Sequence, residues 1–269
     1  MTKSTSNKLT VERNHIKPMA AFKFVNPNTP TIPTPANNEI WYTATAKVEP
    51  YYTDVFGATY LSNVWDSETG KGVITFEGDV TKIGDYAFYD CDSLTSVTIG
   101  DSVTTIGEYA FSDCGSLTSV TIPDSVTTIG EDAFFGCSSL TSVTIPDSVT
   151  TIGDGAFSDS ESLNEYKGKY ATDNGRCLIK DNTIIAYAYA SGTEYTIPNS
   201  VTTIGDYAFY YCRSLTSVTI PDSVITIGEK AFYFCESLTS VTIPDSVTTI
   251  GEWAFASCDS LTSVTIPDS

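Results

Sequence analysis

The chain reads as a solenoid: stacked coils with a parallel β-sheet along one side, short helical or 3-10 arcs along the other, and a small β-rich N-terminal cap. Three observations predict this. Ile83, Ile106, Ile129 and Ile152 lie 23 residues apart, as do Ile204, Ile227 and Ile250. Seven Ala-Phe dipeptides, with phenylalanines at 88, 111, 134, 157, 209, 232 and 255, keep the same register. Within each unit small or polar residues separate the apolar ones, so a single unit has an apolar edge that only stacking can bury. From Ile152 to Ile204 the interval is 52, six more than two units, so one coil, at about 160–198, is longer.

The elements follow in order. Residues 1–35 carry five basic side chains against Glu12 alone and end in prolines 27, 30, 33 and 35, which predicts a disordered basic tail with a stiff linker. Its apolar patches, Met19–Phe24 and Ile32, leave two readings: an unstructured tail, or an attachment peptide that orders on a partner. Residues 36–82 are aromatic-rich and non-repetitive. Alternation in Ile40–Val48 and Gly72–Phe76 predicts strands of a cap that covers the first coil.

Residues 83–269 are the repeats. Within one unit, Val143 and Ile145 alternate with Ser142 and Thr144, the pattern of a strand with one buried face. Pro146 follows the strand, where its missing donor does least harm. Val149–Ile152 forms a second inward stretch, and Gly153 turns the chain into the Ala-Phe arc. The long unit places Lys180-Asp181-Asn182 between Arg176–Ile179 and Thr183–Ala188, which predicts a hairpin projecting from the coil. It also gathers Lys167, Lys169, Arg176 and Lys180, so it reads either as a neutral insertion or as a point of partner contact.

Six of the seven cysteines (91, 114, 137, 212, 235 and 258) share one register, with Ser160 in the same place and Cys177 outside it. Stacked sulfurs form a row rather than a tetrahedron, so the spacing predicts a reduced internal ladder, with neither disulfides nor a metal cluster.

The phrase L-x-x-V-x-I-P-x-S-V-x-x-I-G-x-x-A-F-x-x-C, carried in the first complete unit by Leu94, Val97, Ile99, Val103, Ile106, Ala110, Phe111 and Cys114, resembles the leucine-rich repeat of BspA-like proteins. The resemblance covers about residues 80–269. It implies a leucine-rich repeat solenoid and a surface adhesin or binding protein. Proteins of that kind usually carry an export signal and a closing cap. Here the start lacks a signal-peptide core, and the chain stops at Asp268-Ser269 within a unit.

Charge narrows the partners. There are 33 Asp and Glu against 14 Lys and Arg, a net charge of −19, and residues 83–269 hold 25 acids against six bases. Nucleic acid is excluded, since a phosphate-binding face needs clustered cations. With no apolar run of 18 residues, no membrane insertion is expected. His15 is the only histidine, and no GxSxG, phosphate loop, HExxH or EF-hand loop occurs, so no enzyme, cofactor or metal site is expected. Acidic stripes such as Asp85, Glu108, Glu131 and Asp154 read as solvated faces or as weak cation-bridging rows.

What remains is a non-catalytic binding or adhesion protein that uses its solenoid surface on a protein or glycan. The predicted contact residues are Ser96, Thr98, Ser119, Thr121, Ser142, Thr144, Ser217, Thr219, Ser240 and Thr242 of the sheet face, with Tyr187 and Tyr189 of the long unit. Rows of arc aromatics, Tyr86, Tyr109, Tyr207 and Trp253, and Tyr89, Phe135, Tyr210 and Tyr233, leave two readings, sugar stacking or coil packing. The alternative function is a structural assembly component, a virion decoration or fibre-like protein attached through its tail. Location follows the reading: extracellular or cell-surface if an export signal has been removed, otherwise virion or cytoplasmic. The open last coil predicts self-association or fraying at Phe255, Cys258, Leu261, Val264 and Ile266.

Overall fold

A computed structural model describes residues 34–265. The expectations for the tail through Pro33, including Met19–Phe24 and Ile32, and for Ile266 lie outside the described residues. Three strands precede the coils: β1 (Glu39–Ala44), β2 (Thr59–Asp66) and β3 (Lys71–Glu77). They form an antiparallel sheet in the order β2-β3-β1, and β1 also pairs antiparallel with Leu94–Ile99 of the first coil. Alternation decides their facing: Ile40, Tyr42, Ala44, Ile74 and Phe76 point inward and are buried. The Tyr42 ring lies across Gly72, where any Cβ would collide with it. Phe56 packs on Phe76 and Phe88 at 4.9 and 5.7 Å between ring centres, which closes the first cross-section of the solenoid core.

Each regular coil contributes two strand segments. The outer ones, Leu94–Ile99, Ser119–Thr121 and Ser142–Ile145, hold Ser-x-Thr on the outer face. The inner ones, Lys82–Ile83, Thr105–Ile106, Thr128–Ile129 and Thr151–Ile152, stack in parallel with isoleucine over isoleucine. The phenylalanines stack as the 23-residue interval requires. Phe88, Phe111, Phe134 and Phe157 follow at 5.2, 5.2 and 5.5 Å, within 8° of parallel. All seven cysteines are free and buried. Cys114, Cys137, Cys235 and Cys258 each donate S–H to the carbonyl of the phenylalanine 26 residues earlier, at 3.0–3.2 Å. Ser160 makes the same bond at 3.1 Å, so this position selects a small side chain that carries a donor.

The arcs are not helical; among the described residues the one 3-10 segment is Tyr189–Ser191 in the long unit. Alternate arc residues instead donate to the next coil: Tyr86 N–H to Glu108, Phe88 to Ala110 and Asp90 to Ser112, at 2.8–2.9 Å. The residues between close tight turns within their own coil, as Tyr89 does on Tyr86. This alternation needs two left-handed residues per arc. Tyr86 and Asp90 (φ +57° each) and Tyr109 and Asp113 (φ +52° and +59°) supply them, and Gly136 and Gly155 take equivalent places without strain. The spacing of Ala-Phe to Cys resembles a helical turn, but the carbonyls are claimed by the neighbouring coil.

The long unit departs from the stack. Its strand Glu165–Gly168 pairs with Ser142–Ile145 as expected, with Tyr166 opposite Val143. The chain then forms Ala171–Thr172, Cys177–Lys180 and Thr183–Tyr187, antiparallel in sequence. Asp181 and Asn182 make the two-residue turn with φ of +50° and +63°, the geometry of a primed hairpin. The predicted hairpin therefore forms, but it does not project. Cys177, Leu178 and Ile184 are fully buried, and Ile184 pairs in parallel with Ile204. Its apolar residues fill the core at this level together with Leu163 and Tyr166.

Candidate functional site

The repeats contain two classes of Ser and Thr. One class bonds coil to coil. Ser102, Ser125, Ser148 and Ser246 donate to a valine carbonyl 22 residues earlier, at 2.6–2.7 Å. Thr118, Thr216, Thr239 and Thr262 likewise donate to the carbonyls of Thr95, Thr193, Thr216 and Thr239. The second class is the Ser-x-Thr of the sheet face. Ser96 bonds the Thr43 hydroxyl of the cap at 2.7 Å. The side chains of Thr98, Ser119, Thr121, Ser142, Thr144, Ser217, Thr219, Ser240 and Thr242 make no hydrogen bond within the protein among the described residues, and most are exposed. Parallel pairing sets Ser96 against Ser119 and Thr98 against Thr121, so these free donors and acceptors form rows about 4.8 Å apart.

The cap lengthens this face. Trp41 lies opposite Thr98 on one side and Val73 on the other, and Val73 lies opposite Val64 of β2. One row therefore runs Val64–Val73–Trp41–Thr98–Thr121, from an aliphatic end to a hydroxyl end. Val64 is 68% exposed, while Trp41 and Val73 are half-buried. A shallow groove of about 340 Å³ lies here, lined by Trp41, Thr43, Lys71, Val73, Ser96 and Thr98. The Trp41 indole N–H donates to Glu39 at 2.8 Å, which holds the ring in one orientation. Trp41 and Val73 were not among the predicted contacts, although the alternation in Ile40–Val48 already placed Trp41 on the face opposite the core.

The long unit interrupts the face. The outer strands after Ser142–Ile145 and Glu165–Gly168 resume as a separate four-stranded sheet, Glu194–Thr196, Ser217–Thr219, Ser240–Thr242 and Ser263–Thr265. The hydroxyls thus fall on three sheets, one ending at Ser119–Thr121, one of Ser142–Ile145 with Glu165–Gly168, and this four-stranded one, the last two parted by the long unit. Between them Arg176 stacks over Tyr195 at 4.7 Å and donates to the Glu194 carbonyl at 2.7 Å. Tyr187 and Tyr189 do not belong to this surface, being 1% and 6% exposed. Tyr187 takes the place of the stacked phenylalanine, 5.0 Å from Phe209.

Tyr189 has a different task. In regular coils the Asp90, Asp113 and Gly136 N–H groups donate to Ser112, Phe135 and Ser158 of the next coil. At the long unit no backbone reaches that place. Asp159 N–H donates instead to the Tyr189 hydroxyl at 2.8 Å, and that hydroxyl donates on to the Tyr210 carbonyl. One phenol replaces a missing backbone rung.

The acidic stripes serve partly as turn partners: the Asp85 and Asp206 carboxylates accept the Glu108 and Glu229 N–H groups at 3.0 and 2.7 Å. Among the described residues no three His, Cys, Asp or Glu converge to hold a metal, and no helix is long and apolar enough to cross a membrane.

The BspA-type leucine-rich repeat family model matches residues 68–173 and 182–269. No curated protein matches the chain in sequence. Among solved structures, a leucine-rich cell surface protein of Faecalibacterium prausnitzii is 31% identical over 71% of this chain and 64% of its own, with a TM-score of 0.50. A leucine-rich repeat protein of Eubacterium ventriosum is also 31% identical, over 70% of this chain and 58% of its own, with a TM-score of 0.57. The pneumococcal vaccine antigen PcpA, 21% identical over 69% of this chain and 59% of its own, shares the fold at a TM-score of 0.51. The chain thus spans less than two thirds of the length of these proteins.

Proposed function

The chain belongs to the BspA-type leucine-rich repeat family, and from that premise we propose a non-catalytic binding and adhesion protein that holds a protein or glycan partner along its sheet face. One observation carries the reading: among the described residues the outer-face hydroxyls beyond Ser96 make no hydrogen bond within the fold and most are exposed, whereas most Ser and Thr between coils are bonded to the preceding coil, buried Ser223 excepted. Unpaired hydroxyls on a rigid sheet offer donors and acceptors at a fixed repeat, with little ordering cost on binding. Trp41, Val73 and Val64 add apolar area at one end of the row, as an anchor for a partner whose remaining length lies along the hydroxyls. The similar Faecalibacterium protein is described as a cell surface protein, which supports display at a surface.

The test is a screen of the purified chain against arrayed glycans and extracellular matrix proteins, repeated with Trp41→Ala and Thr121→Glu. A specific binder weakened by both substitutions is expected. Binding that neither substitution changes, or no binding above background, overturns the assignment.

A further inference from the structure

On the arc side, away from the sheet face, five tyrosines form a connected surface. Tyr52 meets Tyr51 at 4.8 Å, Tyr51 meets Tyr89 at 5.7 Å, Tyr89 meets Tyr86 at 5.7 Å, and Tyr86 stacks on Tyr109 at 4.9 Å and 15°. Tyr51 and Tyr52 are about half exposed, and the other three are partly so. Carboxylates border the rings: Asp85, Glu108 and Asp132 near Tyr86, and Asp113 beside Tyr89. Among the described residues no lysine or arginine lies over any of these five rings.

The same molecule shows what such rings hold. In the C-terminal coils, Tyr207 occupies the place of Tyr86 and Lys230 the place of Tyr109. The Lys230 ammonium sits 4.8 Å from the Tyr207 ring centre, donates to its hydroxyl at 2.7 Å and pairs with Glu229 at 3.2 Å. Arg213 lies over Tyr211 at 4.6 Å and pairs with Glu161 and Glu236. There the chain supplies its own cations to a tyrosine surface edged with carboxylates. The N-terminal coils present the same rings and acids without the cations.

We propose that the Tyr51–Tyr52–Tyr86–Tyr89–Tyr109 surface is a docking site for a basic polypeptide segment, whose arginine or lysine side chains lie over the rings as Lys230 lies over Tyr207. Ring faces attract the cation, and the bordering carboxylates complete its charge-assisted hydrogen bonds. The desolvated Asp132 carboxyl is held up at about 6 by burial, with Glu131, Glu108 and Asp154 adding to it, and a bound cation would relieve that crowding. The site is separate from the sheet face and does not depend on its role.

The experiment titrates a fluorescein-labelled octa-arginine peptide into the full chain at physiological salt and compares three variants. Tyr109→Lys copies Lys230, also left-handed (φ +52° and +49°), and places an internal ammonium over Tyr86. It should weaken peptide binding by about tenfold. Thr249→Lys adds the same charge at an exposed residue of the C-terminal coils, outside both surfaces, and should leave binding within about twofold. Tyr51→Ser with Tyr52→Ser removes two exposed rings at constant charge and should weaken binding about fivefold. Equal losses in the two lysine variants would reduce the effect to net charge and overturn the proposal, as would undiminished binding in Tyr109→Lys or no binding by the parent chain. If Tyr109→Lys fails to fold, the serine pair decides alone, because both of its rings are exposed.

Discussion

The coils before and after the long unit repeat nearly the same residues, yet they are two cores. In the first, Phe88 to Phe157 stack face to face and end where Phe157 meets Tyr166 edge-on at 5.6 Å. In the second, the stack restarts with Tyr187 and continues through Phe209, Phe232 and Phe255 at 4.8–5.2 Å. Buried apolar residues divide into clusters along this line, with Leu178 and Ala188 on the first side and Cys177 and Tyr187 on the second. In a solenoid each coil is stabilised by its neighbours. The weakest junction therefore lies where the repeat is broken, and it is joined by the hairpin and by Tyr189.

Four measurements would sharpen or break that comparison. The largest effect is expected for Phe134→Ala, in the middle of the first stack, at about 3–5 kcal/mol by denaturant unfolding. Hydrogen exchange should show the loss concentrated in the coils before the long unit; equal loss in both halves would mean that one cooperative core spans the junction. Next comes Tyr189→Phe, which leaves the Asp159 N–H and the Tyr210 carbonyl without their bridging hydroxyl. About 2–3 kcal/mol should be lost, and the two halves should then melt separately in calorimetry. A single sharp transition would show that the phenol is not what couples them.

The third concerns pH. Burial holds the Asp132 and Asp159 carboxyls up at about 6, above the ordinary value near 3.8. The folded chain therefore binds protons more readily than the unfolded one between these values, and stability should rise as pH falls from 7 towards 5. Asp132→Asn should flatten that slope in a series of melting curves, whereas an unchanged slope would assign it to other groups. The smallest effect is Thr144→Ala, under about 0.5 kcal/mol, because its exposed hydroxyl bonds nothing among the described residues. A loss like that of Phe134→Ala would reverse the assignment of faces.

The regular coils were legible because every 23 residues the same environment returns, so one unit's alternation predicts all of them. Arc conformation was not, since Ala-Phe-x-x-Cys has the spacing of a helical turn. Gly136 and Gly155, standing where other coils have Asp113 and Asp132, were the available sign of left-handed backbone. Tyr187 falls outside the 23-residue count, so the count alone leaves it on the surface. The Ala186-Tyr187 pair, echoing Ala208-Phe209, carried the information that it belongs to the ring stack. Tyr189 could not have been found, because its role depends on a backbone gap that exists only once the hairpin has folded into the sheet. Of the candidate site, the hydroxyl rows could be read from Ser-x-Thr alternation. Their extension through Trp41 and Val73 required the antiparallel register of the cap.

The thiol row has a consequence for chemical reactivity. Alkylating reagents and oxidants attack the thiolate, and burial pushes the Cys91 thiol up to about 12 and those of Cys114, Cys137 and Cys235 in the same direction. The Cys258 thiol is raised too, and there the hydrogen bond with Cys235 is the larger cause and burial the second. In the folded state these sulfurs are therefore close to inert, and each becomes reactive only when its own coil opens. With cysteines spread along the stack, the order in which they take up a mass label is a record of which coils separate first, written by the protein without any engineered probe.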